Sequence, residues 1–393
     1  MKGTDRVAAV GVGYSTTGRR TGLTSWQLAI QAAKAAMEDA GIGPEDMDGV
    51  SLLWGVMGPE PGGLDTVAPD DFGYMIGMSP LNWYGTAGPA YIGPAIQAVA
   101  AIKAGFCHTV LTLRIIRQRM SSAEEIASLA ALDEPVRASG DPQFTRPYGS
   151  LSSIQAIAGL SAQRHMDRFG TTEEQFGAHV IAQRHFATMN EEALFREELT
   201  MEDYLNSRYI TEPVRLLDCD YPVDSASAII YTTAERAHNF KQKPVFVDSA
   251  AYSSVKYNNF ENLDDVNQNM PFHAAEKLWE RTDLTPADVD CAQLYDGFTI
   301  IVFQWLEALG FCKLGEAGSF VEAGNTAMGG SIPVNTDGGA CNVGRRHGAN
   351  FAIESIRQLR GGQSGERQVE DAKVAVWANA VGPFGGAMLM TTE

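Results

Sequence analysis

The sequence predicts a duplicated α/β protein, on three observations. Short apolar runs alternate with longer stretches whose apolar residues recur at helical spacing, the pattern of strands covered by helices. The stretch GPEDMDGVSLLW (43–54) returns as TPADVDCAQLYD (285–296), each with a proline, an acidic cap region, an aspartate and then an apolar strand. In the same order, GTAGPAYIGPAIQAVAAIKAG (85–105) is answered by RRHGANFAIESIRQLRGG (345–362), each a glycine-containing loop, a helix and a glycine stop. A chain of 393 residues is long enough for two such halves.

The first half opens with RVAAVGVGY (6–14), a buried strand that leaves through glycines. TSWQLAIQAAKAAMEDAG (24–41) is a helix capped by Thr24 and stopped by Gly41. GVSLLWGV (49–56) is a strand, AYIGPAIQAVAAIKAG (90–105) a helix and CHTVLTLR (107–114) a strand. From about Ile115 to Met201 charge and helical pattern increase, as in SIQAIAGLSAQRHMDRFG (153–170) and TEEQFGAHVIAQRHFATMN (172–190). This section reads as an inserted helical layer, about 115–200, within an N-terminal half of residues 1–240. Residues 241–393 form the second half, which closes on the strand KVAVWANAV (373–381).

The net charge of −18 argues against nucleic-acid binding, which needs a basic face. No run approaches the ~18 apolar residues of a membrane helix, so no membrane partner is expected. MKGTDRVAAVGVGYS, at the start, lacks the basic-then-apolar order of a secretion signal. The cysteines (Cys107, Cys219, Cys291, Cys312 and Cys341) form no CxxC pair, and their odd number fits reduced thiols. A cytoplasmic location and no metal site within this chain are therefore expected. Gly11 and Gly13 do not make a dinucleotide fingerprint, since the third glycine is missing.

Duplication would place the two equivalent loops face to face, where two helix N-termini offer N–H donors to an anionic oxygen. Four stretches converge in that picture: NWYGTAGPA (82–90), LYDGFT (294–299), the loop around Arg345, Arg346 and His347, and ANAVGPFGGA (378–387). Gly339, Gly385 and Gly386 are read as glycines that let backbone approach a substrate closely.

At these stretches the chain resembles the thiolase superfamily. AQLYDGFTIIVFQWLEALGFCKLGEAGSFVEAG, VNTDGGACNVGRRHGANFAIESIRQLRGG and EPVRLLDCDYPVDSASAIIYTTAERA are similar to its lipid-transfer-protein, or sterol-carrier-protein-X-like, branch. The resemblance covers nearly the whole chain and implies a thiolase-like fold, a duplicated five-layer α-β-α-β-α architecture. It also sharpens three departures. Gly85, followed by Thr86, stands at the position where a thiolase has its nucleophilic cysteine. Arg345 replaces the histidine of the Gly-His-Pro turn, and the loop 380–384 has no acid/base cysteine. A glycine cannot form an acyl-enzyme, so the usual Claisen route is closed.

The branch includes aldolases that cleave steroid side-chain thioesters through tyrosines. Tyr295 matches the first of these. The second would fall at Arg345, and His347 matches a histidine common in the branch. The expected chemistry is retro-aldol cleavage of a bulky β-hydroxyacyl-CoA to a ketone or aldehyde and a short acyl-CoA. Tyr295 would be the base if Arg345 lay beside it and lowered its pKa, Asp296 would orient the network or cap a helix, and Gly85, Thr86, Gly339, Gly385 and Gly386 would serve the thioester oxygen. Two alternatives stay open: a thiolase or acyltransferase using Cys341 or Thr86, and a non-catalytic thiolase-fold subunit that binds lipid or CoA. The resemblance further implies a small OB-fold/zinc-ribbon partner that carries the zinc, a homodimer within a heterotetramer, and no cofactor in this chain beyond the CoA of the substrate.

Overall fold

Alternate residues of β1 (Val7–Tyr14) enter two different cores. Val7 and Ala9 join one cluster, Ala8 and Val10 another, and all four are inaccessible to solvent. A strand covered on both faces needs a helix on each side. One is α1 (Ser25–Ala40), which packs so tightly that a Cβ at Gly11 or Gly13 would lie 2.5 or 2.4 Å from its backbone. The two glycines therefore seat a helix on a strand. The expected caps are present: Thr24 and Gln27 exchange side-chain and backbone hydrogen bonds, and Gly41 ends the helix at φ 72°.

The computed structural model describes residues 6–57, 67–88, 90–118, 154–254, 270–381 and 384–393. The remaining strands are β2 (Gly49–Met57), β3 (Trp83–Thr86), β4 (Thr109–Gln118), β5 (Tyr209–Thr211), β6 (Val214–Arg215), β7 (Ser225–Thr233), β8 (Val245–Ser254), β9 (Cys291–Leu294), β10 (Val374–Val381) and β11 (Phe384–Thr391). The helices that follow α1 are α2 (Pro69–Ile76), α3 (Ile92–Lys103), α4 (Ile154–Phe169), α5 (Glu173–Thr188), α6 (Met201–Asn206), α7 (Ala234–Ala237), α8 (Met270–Trp279), α9 (Thr299–Ala308), α10 (Ala317–Glu322), α11 (Gly339–Val343) and α12 (Ala349–Arg360).

Nine strands pair in the order β3-β2-β4-β7-β1-β8-β11-β10-β9. Outward from β1, the pairings with β7 and then β4 are antiparallel, and those of β4 with β2 and β2 with β3 are parallel. Outward from β8 the sequence repeats: β11 and β10 follow antiparallel, β9 joins parallel, and Val334 makes a parallel bridge to Ala292 where β3 would sit. The two sets meet through three residue pairs between β1 and β8. The sequence repeat reappears in detail. Pro44–Asp46 and Pro286–Asp288 are both short 3-10 turns. Asp48 then accepts the N–H groups of His108 and Thr109, and Asp290 those of Lys373 and Val374. Each aspartate thus clamps the start of the neighbouring parallel strand.

Three cores separate the layers. The outermost N-terminal core packs α1 and Phe72 of α2 on β1, β4 and β7. The central core holds α3 and α12 between Ile229 and Tyr231 on one side and Ala375, Trp377 and Met388 on the other. The third packs α8 and α9 against Val376, Ala387 and Leu389. Five layers follow, with α3 and α12 in the middle. The helical insertion starts later than expected from residue 115, because β4 continues to Gln118, paired with Met57 of β2, and its Ile115 and Ile116 are fully buried. The insertion's described part is α4 and α5, α4 packing on α9 and α5 on α9 and α10, with α6 following against α5; residues 119–153 lie outside the described ones.

Candidate active site

The N-termini of α3 and α12 meet, as the duplication requires. The Tyr91 N–H donates to the His347 carbonyl at 3.0 Å, and the Ile92 N–H to Oδ1 of Asn379 at 3.4 Å. These first-turn donors are thus spent on protein. Gly348 caps α12 at φ 92°, where a Cβ would lie 2.4 Å from Asn379. The expectation for Gly85 and Thr86 is corrected here. Parallel pairing with β2 carries β3 through Thr86, Gly85 sits opposite Ser51, and α3 begins only at Ile92. Gly85 is a strand residue, and Ala90 and Tyr91 lead into the helix.

Tyr295 follows β9 directly, its N–H held by the Ala378 carbonyl at 3.0 Å. It is 5% exposed, its ring meets Phe351 of α12 edge-on, and a side chain at Gly297 would strike it. Its hydroxyl donates to Oδ2 of Asp220 at 3.4 Å. Arg345 reaches the same carboxylate, Nη2 at 2.6 Å and Nε at 2.8 Å, both onto Oδ1. Backbone bonds hold this cluster: Asp220 N–H to Gly297, Tyr221 N–H to Ala340 and Arg345 N–H to Tyr221. The sequence reading missed Asp220, although the segment LLDCDYPVD contains it. Only the fold brings residue 220 between 295 and 345.

The cluster changes the expected role of Arg345. Burial, followed by the charge of Asp220, raises the Tyr295 phenol well above its ordinary value, and the opposing pull of Arg345 is smaller. Tyr295 is therefore a neutral phenol, not the acidified one expected. Asp220 is itself pushed up by burial and pulled back by Arg345. Arg346 turns away, its guanidinium 3.9 Å from the centre of the Tyr14 ring and bonded to Thr17 at 3.3 Å.

His347 adopts φ 48° and is buried. Its Nδ1 contacts Nη2 of Arg114, a buried arginine of β4 that also donates to the carbonyls of Leu53 and Ile115. A guanidinium only donates, so Nδ1 is unprotonated and the ring proton is on Nε2. Burial and the charges of Arg114 and Arg345 hold His347 well below its ordinary pKa. It is a neutral N–H donor. Burial also lowers Arg114, to about 9.

Asp296 points the other way. Oδ1 accepts the Ala340 N–H at 3.0 Å, and Oδ2 accepts Nε2 of Gln183 at 2.9 Å and the Cys341 N–H at 3.4 Å. It caps α11, one of the two roles expected for it. Gly339 is needed because a Cβ there would fall 2.2 Å from Oδ2 of Asp296. Gly386 pairs with Asn379 and Tyr252 inside the sheet, and its Cβ would meet the Ala251 carbonyl at 2.1 Å. At both positions the missing side chain makes room for neighbouring protein atoms. Gly385, its neighbour in β11, pairs with Ala380 and Ser253.

The cysteines offer no activated thiolate. Burial pushes Cys107, Cys219 and Cys312 up to about 12 and raises Cys291 and Cys341 further, Cys341 also feeling Asp296 and Asp220. Thr86 is exposed on β3, away from the helix start. The atypical-nucleophile alternative thus loses both of its residues. What remains is a neutral phenol with a carboxylate behind it and, two residues after Arg345, a neutral imidazole held by Arg114.

Comparison with known proteins places the chain in a family. Residues 253–391 match the family described as thiolase C-terminal domain-like. The chain is 35% identical over 364 residues to the 17-hydroxy-3-oxo-4-pregnene-20-carboxyl-CoA lyase of Mycobacterium tuberculosis, covering 91% of this chain and 92% of that protein. It is 30% identical over 365 residues to the steroid side-chain-cleaving aldolase of Thermomonospora curvata, 90% of each chain. Among solved structures, an Ltp2-ChsH2(DUF35) aldolase superposes with a TM-score of 0.85 at 28% identity, over 98% of this chain and 97% of that one. No described helix is long and apolar enough to cross a membrane.

Proposed function

We propose that this chain, which belongs to the thiolase superfamily and within it to the steroid side-chain-cleaving aldolases, is a carbon–carbon lyase that cleaves a bulky β-hydroxyacyl-CoA. The products are a ketone or aldehyde and a shorter acyl-CoA. A steroid side chain with a tertiary ring alcohol is the substrate class, supported by the two relatives' names. The observation that carries the reading is the buried Tyr295–Asp220–Arg345 cluster where the two helix N-termini meet, in a chain whose thiols are all held protonated.

Tyr295 sits over the reacting group. It relays the β-hydroxyl proton, giving up its own phenol proton as the Cα–Cβ bond breaks, and returns a proton to Cα of the enolate. His347, neutral with Nε2–H free of Arg114, donates to the thioester oxygen as it becomes an enolate oxygen. A neutral donor suits this role, since it neither titrates nor competes for the proton. The same reading gives this chain no resident cofactor. It pairs the chain with a small OB-fold/zinc-ribbon protein that carries the zinc, in a heterotetramer built on a homodimer, and places it in the cytoplasm. The DUF35 component named in the solved neighbour supports the partner.

The test is a product assay. The protein, co-expressed with such a partner, is given a steroid β-hydroxyacyl-CoA, and ring ketone and short acyl-CoA are followed by mass spectrometry. Cleavage by wild type and loss of ~10²–10⁴-fold in Tyr295→Phe are expected. Ketone that survives the substitution removes Tyr295 from the mechanism. CoA esters that bind without cleavage favour the non-catalytic subunit.

A further inference from the structure

A neutral phenol cannot take a proton unless it gives one away. Resting on the aldol-lyase reading, we propose that Asp220 is the proton acceptor behind Tyr295, and that Arg345 holds its charge. The geometry divides the carboxylate between two tasks. Arg345 loads Oδ1 through Nη2 and Nε, at 2.6 and 2.8 Å. Oδ2 is left facing the Tyr295 hydroxyl at 3.4 Å. Asp220 is 6% exposed, so this acceptor lies inside the protein.

The proton balance closes without a co-reactant. The β-hydroxyl proton passes to the Tyr295 oxygen as the phenol's own proton passes to Oδ2 of Asp220. The Cα–Cβ pair moves onto the thioester enolate, and the β-carbon–oxygen bond becomes a carbonyl. Asp220 then returns its proton through Tyr295 to Cα, and the site is restored. A tyrosine at position 345 would bring no positive charge to oppose the burial of the Asp220 carboxylate, whereas the guanidinium does. This ties the chain's departure at Arg345 to a carboxylate-backed base.

Asp220 has other titratable neighbours. Tyr295 faces it from the segment after β9, Arg345 from the loop before α12, Cys341 from α11 and Cys219 from its own segment, while Asp296, turned toward α11, feels its charge. Beyond Tyr295 lie Arg114 and His347. Asp296 also titrates nearby, so the experiment must separate the two carboxylates.

The cleavage rate is measured against pH for wild type, Asp220→Asn and Arg345→Gln, in the assembly in which the protein purifies. Wild type is expected to lose activity on the acid side as Asp220 protonates. Asp220→Asn should lower the rate at least 100-fold and abolish that acid limb, whereas Arg345→Gln should move the limb up by about one pH unit. A limb that persists unchanged in Asp220→Asn belongs to Asp296 and overturns the proposal, as does a rate within threefold of wild type.

A second readout needs no substrate. A fluorinated tyrosine is placed at position 295 and titrated by 19F NMR. Its phenol should ionise at lower pH in Asp220→Asn and at higher pH in Arg345→Gln; no change in either overturns the coupling. Wild type that shows the 19F coupling and no cleavage marks the failure of the lyase reading, and the proposed proton transfer falls with it. Cleavage without the coupling marks the failure of this inference alone.

Discussion

Asp296→Asn should change how stability depends on pH. Asp296 is fully buried, and its pKa is raised to about 7, first by burial; the Ala340 and Gln183 hydrogen bonds oppose this, and the charges of Asp337 and Asp220 add to it. An aspartate in water titrates at 3.8, so the folded chain keeps this proton to about pH 7 while the unfolded chain releases it near 3.8. Between those values the folded state binds more protons, and its stability falls as pH rises. The rise from 3.8 to about 7 corresponds to roughly 4 kcal/mol lost by pH 8. Asparagine cannot ionise. Its Oδ1 still accepts the Ala340 N–H, and a flipped Gln183 amide meets its Nδ2; only the long Cys341 contact is lost. The assay is urea unfolding followed by circular dichroism at pH 4.5, 6 and 8. Buried carboxylates not coupled to Asp296, such as Asp218 at about 6, slope both proteins alike, so the difference reports Asp296 together with its coupling to Asp337 and Asp220. The variant should gain on wild type by roughly 3–4 kcal/mol across that range. Curves that stay parallel would refute the reasoning, because then Asp296 is ionised throughout.

Three further outcomes follow from the geometry. His347 should show a bare Nδ1 and a protonated Nε2 by 15N NMR from pH 6 to 8, since Arg114 occupies Nδ1 and the ring is held well below its ordinary pKa; a protonation step in that range would contradict the donor role. Gly386→Ala should lower stability by about 2–4 kcal/mol, read as a clear drop in Tm, because the added Cβ would meet the Ala251 backbone 2.1 Å away; an unchanged Tm would mean that the sheet yields there. Cys341 should resist iodoacetamide in the native protein at pH 8 and react once unfolded, and no acyl-enzyme should form on any cysteine during turnover; an acylated thiol by mass spectrometry would restore the thiolase alternative.

Much of the architecture was legible because it is written locally and twice. Thr24 and Gly41 mark their helix through contacts within the same segment. Asp48 and Asp290 repeat at matching places because each half must anchor a parallel strand at the same point. Tyr295 and His347 were found because they stand in motif-like loops. Asp220 lies in a segment with no catalytic pattern, 75 residues before Tyr295. Gly85 misled for the opposite reason. A glycine before a helix looks like a loop, and only the pairing with Ser51 shows a strand.

The sequence by itself determined the duplicated α/β order, and its resemblance to the thiolases implied the lost cysteine and histidine and the candidacy of Tyr295 with the Arg345–His347 loop. Repeat and motif depend on residue order, which a linear reading preserves. Tertiary structure decided what those residues are. Arg345 is close to Tyr295, yet Asp220 stands between them and burial outweighs the cation, so the phenol is raised rather than lowered. Asp296 turns away to cap α11, and His347 becomes a neutral donor because Arg114 comes from another strand to meet it. Desolvation and charge pairing act through space, and the distances that set them exist only once the two halves have closed on each other.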